Sequence, residues 1–511
     1  MDIDIENPAF TGFFNEGHKR IDIVIVINDN ANKEIQEIRL NFFMNAVKFG
    51  LELELEEGKL AEHKNLIFVK VHAPDVIIEE FGLSFNEPKN QYPGPVNYST
   101  LERSMIVYKI LQQLPFEQFE NHYGINKLIS SNIIFDAFAL HDGPYFIVPR
   151  QETTEYINAR QALFYNWVGV NNIWKMQPIH MIREYFGERI AFYFGYYEFF
   201  NIMLAIISVV GAWITYDQYT GTPEFDELTI CNECRNLTIC PFIPHTQYCT
   251  ELKFISKIDT EGMRFYAFFV CLTGIIFVIF WKRKEMYLMW MWEMNAKLIK
   301  KIRRPEVLPF TRISDKSIIF IILRGLSIFF TMAIFSALVS MILSYILTEL
   351  ENYKTYASYE RSLAIRMYGF GFPSTFMLLF CYLVLEEIMY KHPVDKSNWY
   401  TLEGFGLMNN GLGNSLDDIC VTVAVIIVLD QVIFKIPTIL YYKMTDYDQL
   451  CVFDSNIPCW EREYRLPNLT EMFIHNGYNA IAMQFAMATF LTCTCPIVPL
   501  FIFLVNLWDI R

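Results

Sequence analysis

The sequence predicts an α-helical polytopic membrane bundle that carries an N-terminal α+β cytosolic domain. Three observations lead there. The 511-residue chain is 53% hydrophobic and 16% aromatic with only 19% charged residues, where a soluble domain averages about 25% charged. The apolar excess is uneven: roughly the first 180 residues read as soluble protein, and long apolar runs fill much of the rest. The opening MDIDIENPAF is acidic and has no apolar core, so it does not read as a secretory leader and places the N-terminal domain in the cytosol.

Charge narrows the class further. Lys and Arg number 42 against 56 Asp and Glu, a net charge of −14. An acidic chain with one short basic cluster lacks the electrostatic footprint of a nucleic-acid binder. Disorder, a collagen-like fibre and a small disulfide scaffold are excluded by composition.

Within residues 1–150, IDIVIVIN at 21–28 is strand-like, and 33–50 places Ile35, Ile38, Phe42, Ala46 and Phe49 on one helical face. LELELE at 51–56 alternates with period two, and LIFVKVH at 66–72 is another strand. A helix follows Pro74 with Val76, Ile77 and Phe81 as its apolar side. Strand, helix, strand, strand, helix is the split βαβ, ferredoxin-like arrangement. Pro88, Pro93, Gly94 and Pro95 mark a linker, followed by a helix with Met105, Ile106, Ile110 and Leu111. Residues 151–190 lead into the membrane, and 191–511 hold the bundle.

A bilayer span needs about 20 mainly apolar residues. The candidates are 191–214, 263–281, 318–348, 368–385, 418–440 and 481–508. The third is roughly 46 Å long as a helix, enough for one tilted span and too short for two. Glu198, Arg324, Pro373, Asp430, Lys435, Pro437, Pro496 and Pro499 interrupt these runs, which suggests a packed bundle or a polar path.

Lys282, Arg283, Lys284, Lys297, Lys300, Lys301, Arg303 and Arg304 follow the second span, so that loop is expected on the cytosolic side. The loop 215–262 is then extracellular or lumenal. It holds Cys231, Cys234, Cys240 and Cys249 and a glycosylation sequon at Asn236. Disulfides are the expected state, with three possible pairings; the rival is a zinc site using the Cys231-x-x-Cys234 spacing, for which no second such pair exists. YLMWMW at 287–292 reads as an interfacial aromatic belt.

Several motifs resemble the anoctamins, a family of calcium-activated chloride channels and phospholipid scramblases. IDIVIVIN, GLELELEEG and FVKVHAPDVIIEEF are similar to that family's dimerisation domain; MIVYKIL, FALHDGPY and NIWKMQPIHMIREYFGERIAFYF continue the likeness. FWKRKEM, LTELENYKTYASYERSLAIRMYGFGF and PIVPLFIFLVNLWDIR resemble its membrane domain. Matched motif by motif, the chain carries the family's first, second, fourth, fifth, sixth and seventh of ten segments, without the third and the eighth to tenth. A spliced or incomplete gene product is the simple account. Otherwise LTELENYKT, cytosolic in the family, falls outside when counted from the basic loop.

The resemblance implies anion conduction or lipid scrambling, membrane lipid and chloride or other anions as partners, a homodimer or a heterodimer with another anoctamin, and residence in the plasma membrane or endoplasmic reticulum. It also implies a calcium site between segments six, seven and eight. Its segment-seven acids fall here on Gly477 and Ala480, and its segment-six positions near Lys435 and Ile439. Calcium wants six to eight oxygens, so the usual site is expected to be degenerate. Asp430 and, at the membrane edge, Glu471 are the acids nearby; Asp430 is expected to pair with Lys435 or another helix rather than bind an ion. Arg366 stands where the family has a basic residue facing the permeation path; the alternative is an arginine reaching to lipid headgroups. The chain has no GxSxG, phosphate-binding loop or HExxH, and His141-Asp142-Gly143 reads as a turn, so no enzyme is expected. The rival to transport is a non-conducting interaction protein that pairs with a complete anoctamin.

Overall fold

The computed structural model describes residues 12–14, 18–85, 98–116, 124–143, 158–220, 238–240, 243–244, 261–292, 294, 337–353, 355, 358–369, 371–372, 376, 440, 457–466, 472–491 and 495–510. The chain divides into two compact units, Met1–Phe194 with Tyr441–Thr470 and Arg511, and Gly195–Leu440 with Glu471–Ile510.

In the first unit β1 (Ile23–Asn28) is apolar at every position but the last because both its faces are covered. Ile23, Ile25 and Ile27 join the helix-covered core, while Val24 and Val26 join a second cluster on the opposite face. Next come α1 (Lys33–Lys48), β2 (Glu52–Glu57) and β3 (Leu66–His72). Then follow α2 (Asp75–Phe85), α3 (Thr100–Gln113), α4 (Ile125–Ser130) and β4 (Asp136–Phe138). The sheet is antiparallel in the order β2-β3-β1-β4. β3 therefore lies between the two strands that α1 connects, which is how a βαβ unit is split.

α1 buries Phe42 and Ala46. It also buries Arg39, whose guanidinium donates to the Ile133 and Asn28 carbonyls at 2.7 and 2.6 Å. Phe49, expected on the helix, is instead the residue that ends it and remains partly exposed. Gly50 sits at φ +100, and a Cβ there would meet Ile77 Cδ1 at 2.6 Å; this turn admits only glycine. α3 opens with a capping box between Ser99 and Glu102 and buries Ile106, Val107, Ile110 and Leu111, leaving Met105 exposed.

The alternation in β2 is real, but its leucines leave the core progressively: Leu51 is buried, Leu53 half-buried and Leu55 exposed. Its acidic face has a use, because Lys70 on neighbouring β3 has a fully buried side chain with Glu56 at 2.7 Å and Glu54 at 3.4 Å.

The pre-membrane stretch holds α5 (Ala159–Leu163), capped by the Asn158 side chain, and α6 (Ile179–Phe186). Two long apolar helices follow, α7 (Glu188–Thr220) and α8 (Glu261–Met291), of 33 and 31 residues. Each is long enough to cross a bilayer. Both outrun the spans expected from hydropathy, and YLMWMW continues α8 through Met291. Between them, in the described part of the loop, β5 (Thr238–Cys240) pairs with β6 (Ile243–Pro244).

In the second unit α9 (Ala337–Leu350) is the described part of the third expected span. A turn with Asn352 at φ 47 leads to α10, over 358–369, whose end enters the expected fourth span, where Gly371, Phe372 and Phe376 are also helical. The fifth expected span, 418–440, lies outside the described residues apart from Leu440. α11 (Cys459–Tyr464) belongs to the first unit. The last expected span, 481–508, is two helices, α12 (Met472–Phe490) and α13 (Val498–Asp509). The break follows from Pro496, which has no N–H and disfavours helix before it, while Pro499 is tolerated in the first turn of α13. The freed Pro496 carbonyl accepts the Tyr266 hydroxyl at 3.2 Å, the kind of repair a membrane interior requires. Gly211 on α7 permits this approach, since a Cβ there would lie 2.2 Å from that carbonyl oxygen.

Candidate anion-path and calcium-site positions

Arg366 lies on α10 with its side chain fully buried. Its Nη1 donates to Thr348 Oγ1 at 2.7 Å, and its Nη2 pairs with Glu351. Tyr353 donates its hydroxyl to Glu351 and lies 3.0 Å from Ser362 Oγ. Thr348, Arg366, Glu351, Tyr353 and Ser362 thus form one connected network closing the α9–α10 hairpin, backed by Tyr359, Leu363 and Met367. In this arrangement the charge meets a carboxylate, not lipid. A buried guanidinium needs such a partner, because its desolvation is otherwise several kcal/mol or more.

The α12 positions at which the resemblance implies calcium-binding acids offer little. Gly477 and Ala480 carry no side-chain oxygen. Asn479, between them, has a buried Oδ1 with no hydrogen-bond partner among the described residues. One amide oxygen does not fit a calcium shell of six to eight. No group of three His, Cys, Asp or Glu able to hold a metal occurs among the described residues. Asp430, Lys435 and Ile439 lie outside the described residues, as do Cys231, Cys234, Cys249 and Asn236. Cys240 ends β5. Cys495, outside that loop, is in a disulfide.

The bundle holds further polar groups that no motif announced. Asn506 on α13 is fully buried; it donates to Gln484 Oε1 on α12 at 2.8 Å and accepts from the Tyr197 hydroxyl on α7 at 3.0 Å. The available signal was an amide inside each of two apolar runs, VNLW and IAMQFA. Glu198 lies 4.0 Å from Lys284 of α8, so the acid inside the first span and the first basic cluster are connected. Around them Phe199 stacks on Phe277, and Phe277 on Phe485, at 5.4 and 5.9 Å between centroids. These contacts join α7, α8 and α12 through aromatic rings.

In the first unit, His141-Asp142-Gly143 is a turn with Gly143 at φ +71 and its N–H bonded to the His141 carbonyl. His141 Nδ1 lies 2.7 Å from the Tyr185 hydroxyl, while Asp142 pairs with Arg20 and accepts from Thr100. The two side chains face different partners. Burial, with Arg160 nearby, lowers the His141 pKa to about 4, so it is neutral at pH 7.

Comparison with known proteins decides the family. The anoctamin family model, described as calcium-activated chloride channel, matches residues 182–317 and 310–511; the anoctamin dimerisation-domain model matches 13–82 and 84–179. The chain belongs to the anoctamin family. It is 23% identical to human anoctamin-5 over 98% of this chain and 70% of that protein. Mouse anoctamin-4 is 22% identical, with 98% and 67% covered. Rat anoctamin-7 is 24% identical, with 86% and 60% covered. The chain thus spans about two thirds of the length of these anoctamins. Membership makes it a membrane protein of a channel and scramblase family rather than an enzyme family.

Proposed function

We propose that this anoctamin moves anions, phospholipids or both across a membrane, without the family's usual calcium gate. The observation that carries the reading is the match to the family's channel model from residue 182 to 511. Gly477 and Ala480 support the second half, since the acids a gate would use are replaced by residues without ligand oxygens. Arg366 is assigned to the anion path, with Glu351 as its resting counter-ion; a cation beside a path raises local anion occupancy. The dimerisation-domain match supports a dimer with itself or with another anoctamin. Residues 1–150 are read as the cytosolic dimerisation domain and 191–511 as the membrane domain. The loop before α8 is read as lumenal or extracellular, glycosylated at Asn236 and disulfide-bonded through Cys231, Cys234, Cys240 and Cys249, in the plasma membrane or endoplasmic reticulum.

The test is chloride efflux and lipid scrambling measured in the same proteoliposomes. Transport of either kind is expected, and Arg366→Gln lowers chloride efflux severalfold while leaving insertion intact. The second reading, a non-conducting partner of a complete anoctamin, is favoured by the same Gly477 and Ala480. It predicts no transport by this chain alone and co-precipitation with a full-length relative.

A further inference from the structure

The face of the sheet opposite the helices is covered by a segment that begins more than three hundred residues later. Trp460 of α11 is 1% exposed and packs with Phe14, Ile21, Val24, Val26 and Phe68. The Lys70 ammonium lies 4.0 Å from its ring centroid, a cation–π contact in a dry setting. Glu461 is equally buried. Its Oε2 accepts the Lys59 N–H at 3.0 Å, its Oε1 accepts the Leu60 N–H at 2.7 Å, and His63 Nδ1 lies 3.1 Å away. Glu463 accepts the His141 N–H at 2.9 Å and Arg160 Nη1 at 3.1 Å. Tyr464 sets its ring edge-on to Phe68 and stacks on Phe138.

A six-residue helix does not hold itself together in water, so the order of α11 comes from this docking. The chain around it is also informative. Tyr441–Thr470 group with the N-terminal unit, while the residues on either side, Leu440 and Glu471, belong to the other. From Tyr464 to the first residue of α12 the chain has only residues 465–471, a reach of at most about 29 Å when fully extended.

We propose that α11 is a strap: by docking Trp460, Glu461 and Glu463 on the N-terminal sheet, it restrains the start of α12, the helix that carries Gly477 and Ala480. Glu461 and Trp460 are positioning residues in this account, since neither touches a transported species. The inference is independent of what the bundle transports, and its readout does not require transport.

Amide hydrogen exchange on the full chain in lipid nanodiscs tests it. In Glu461→Gln the volume is kept, but the amide group cannot accept from both N–H donors and still face His63. The Lys59 and Leu60 amides are expected to exchange at least about tenfold faster, and the first turns of α12 (472–480) to accelerate with them. The β1 amides report that the sheet remains folded. If Lys59 and Leu60 accelerate while 472–480 do not, or if neither changes, the strap is overturned. Should β1 also accelerate, a second variant decides: a flexible Gly-Ser insertion after Leu466 leaves the docked residues untouched. That insertion is expected to speed exchange at 472–480 with Lys59 and Leu60 unchanged, and unaltered exchange at 472–480 overturns the proposal.

Discussion

Lys70 and Arg366 are buried cations, one in each unit, and their surroundings differ in a useful way. Lys70 has two carboxylates, Glu54 and Glu56, and an aromatic ring contributed from a distant stretch of chain. Among the described residues Arg366 meets Glu351, supplied by the other arm of its own hairpin, with Thr348 beside it. His141 is a third solution: burial removes its charge, so no counter-ion is needed. Redundant pairing makes the sheet tolerant of a lost acid. Arg366 is held by a carboxylate and a hydroxyl from the adjoining arm, so its pairing depends on the register of the hairpin.

The largest effect expected from this contrast is at Glu351. Glu351→Ala takes the Glu351 carboxylate from the buried Arg366 guanidinium, which costs about 3–5 kcal/mol, seen as a lowered thermal unfolding midpoint in nanodiscs. The double variant Glu351→Met/Arg366→Met recovers most of that loss, because a buried pair replaced by apolar groups is often near neutral. Next comes the pH response of His141, whose pKa falls from 6.5 to about 4 on folding. Its stabilisation is complete above pH 6.5. It is lost as pH falls toward 4, because the unfolded chain takes up the proton first. The integrated loss is about 3 kcal/mol. His141→Gln removes that slope, and the difference between the two unfolding profiles isolates it from the oppositely shifted Glu463, whose buried carboxyl is raised.

Glu56→Gln comes third. With Glu54 and the Trp460 ring still in place, the expected loss is about 1–3 kcal/mol, smaller than at Glu351. An equal or larger loss would show that Glu54 and the Trp460 ring do not share in holding the Lys70 charge. The smallest effect is that of Tyr197→Phe, which deletes one hydrogen bond to Asn506 within the bundle. Such bonds average about 0.6 kcal/mol between membrane helices, so double-mutant cycles with Asn506→Ala are the suitable measurement.

Much of the first unit was legible because its signals are local. The strand-like apolar runs at 23–28 and 66–72 and the helical face with Phe42 and Ala46 lie in their expected elements. What the pattern did not reveal is why both faces of β1 are apolar, since Trp460 and Cys459 arrive from far along the chain and carry no periodic signal of their own. Lys70 reads as a solvated strand residue until that cover is seen. In the bundle, α7 and α8 were legible from hydropathy. The division of 481–508 required giving Pro496 its full weight as a helix breaker. Arg366 was singled out by resemblance, but its pairing with Glu351 depends on a left-handed Asn352 that sets the hairpin register, a conformation that composition does not specify.

The most direct measurement is chloride efflux from proteoliposomes containing the chain, titrated with calcium from a chelated baseline to the millimolar range. The account predicts efflux already present at the baseline, little changed by calcium, and reduced severalfold by Arg366→Gln. Efflux that is absent without calcium and switched on at micromolar levels would contradict it, because Gly477 and Ala480 would then stand in a working calcium gate.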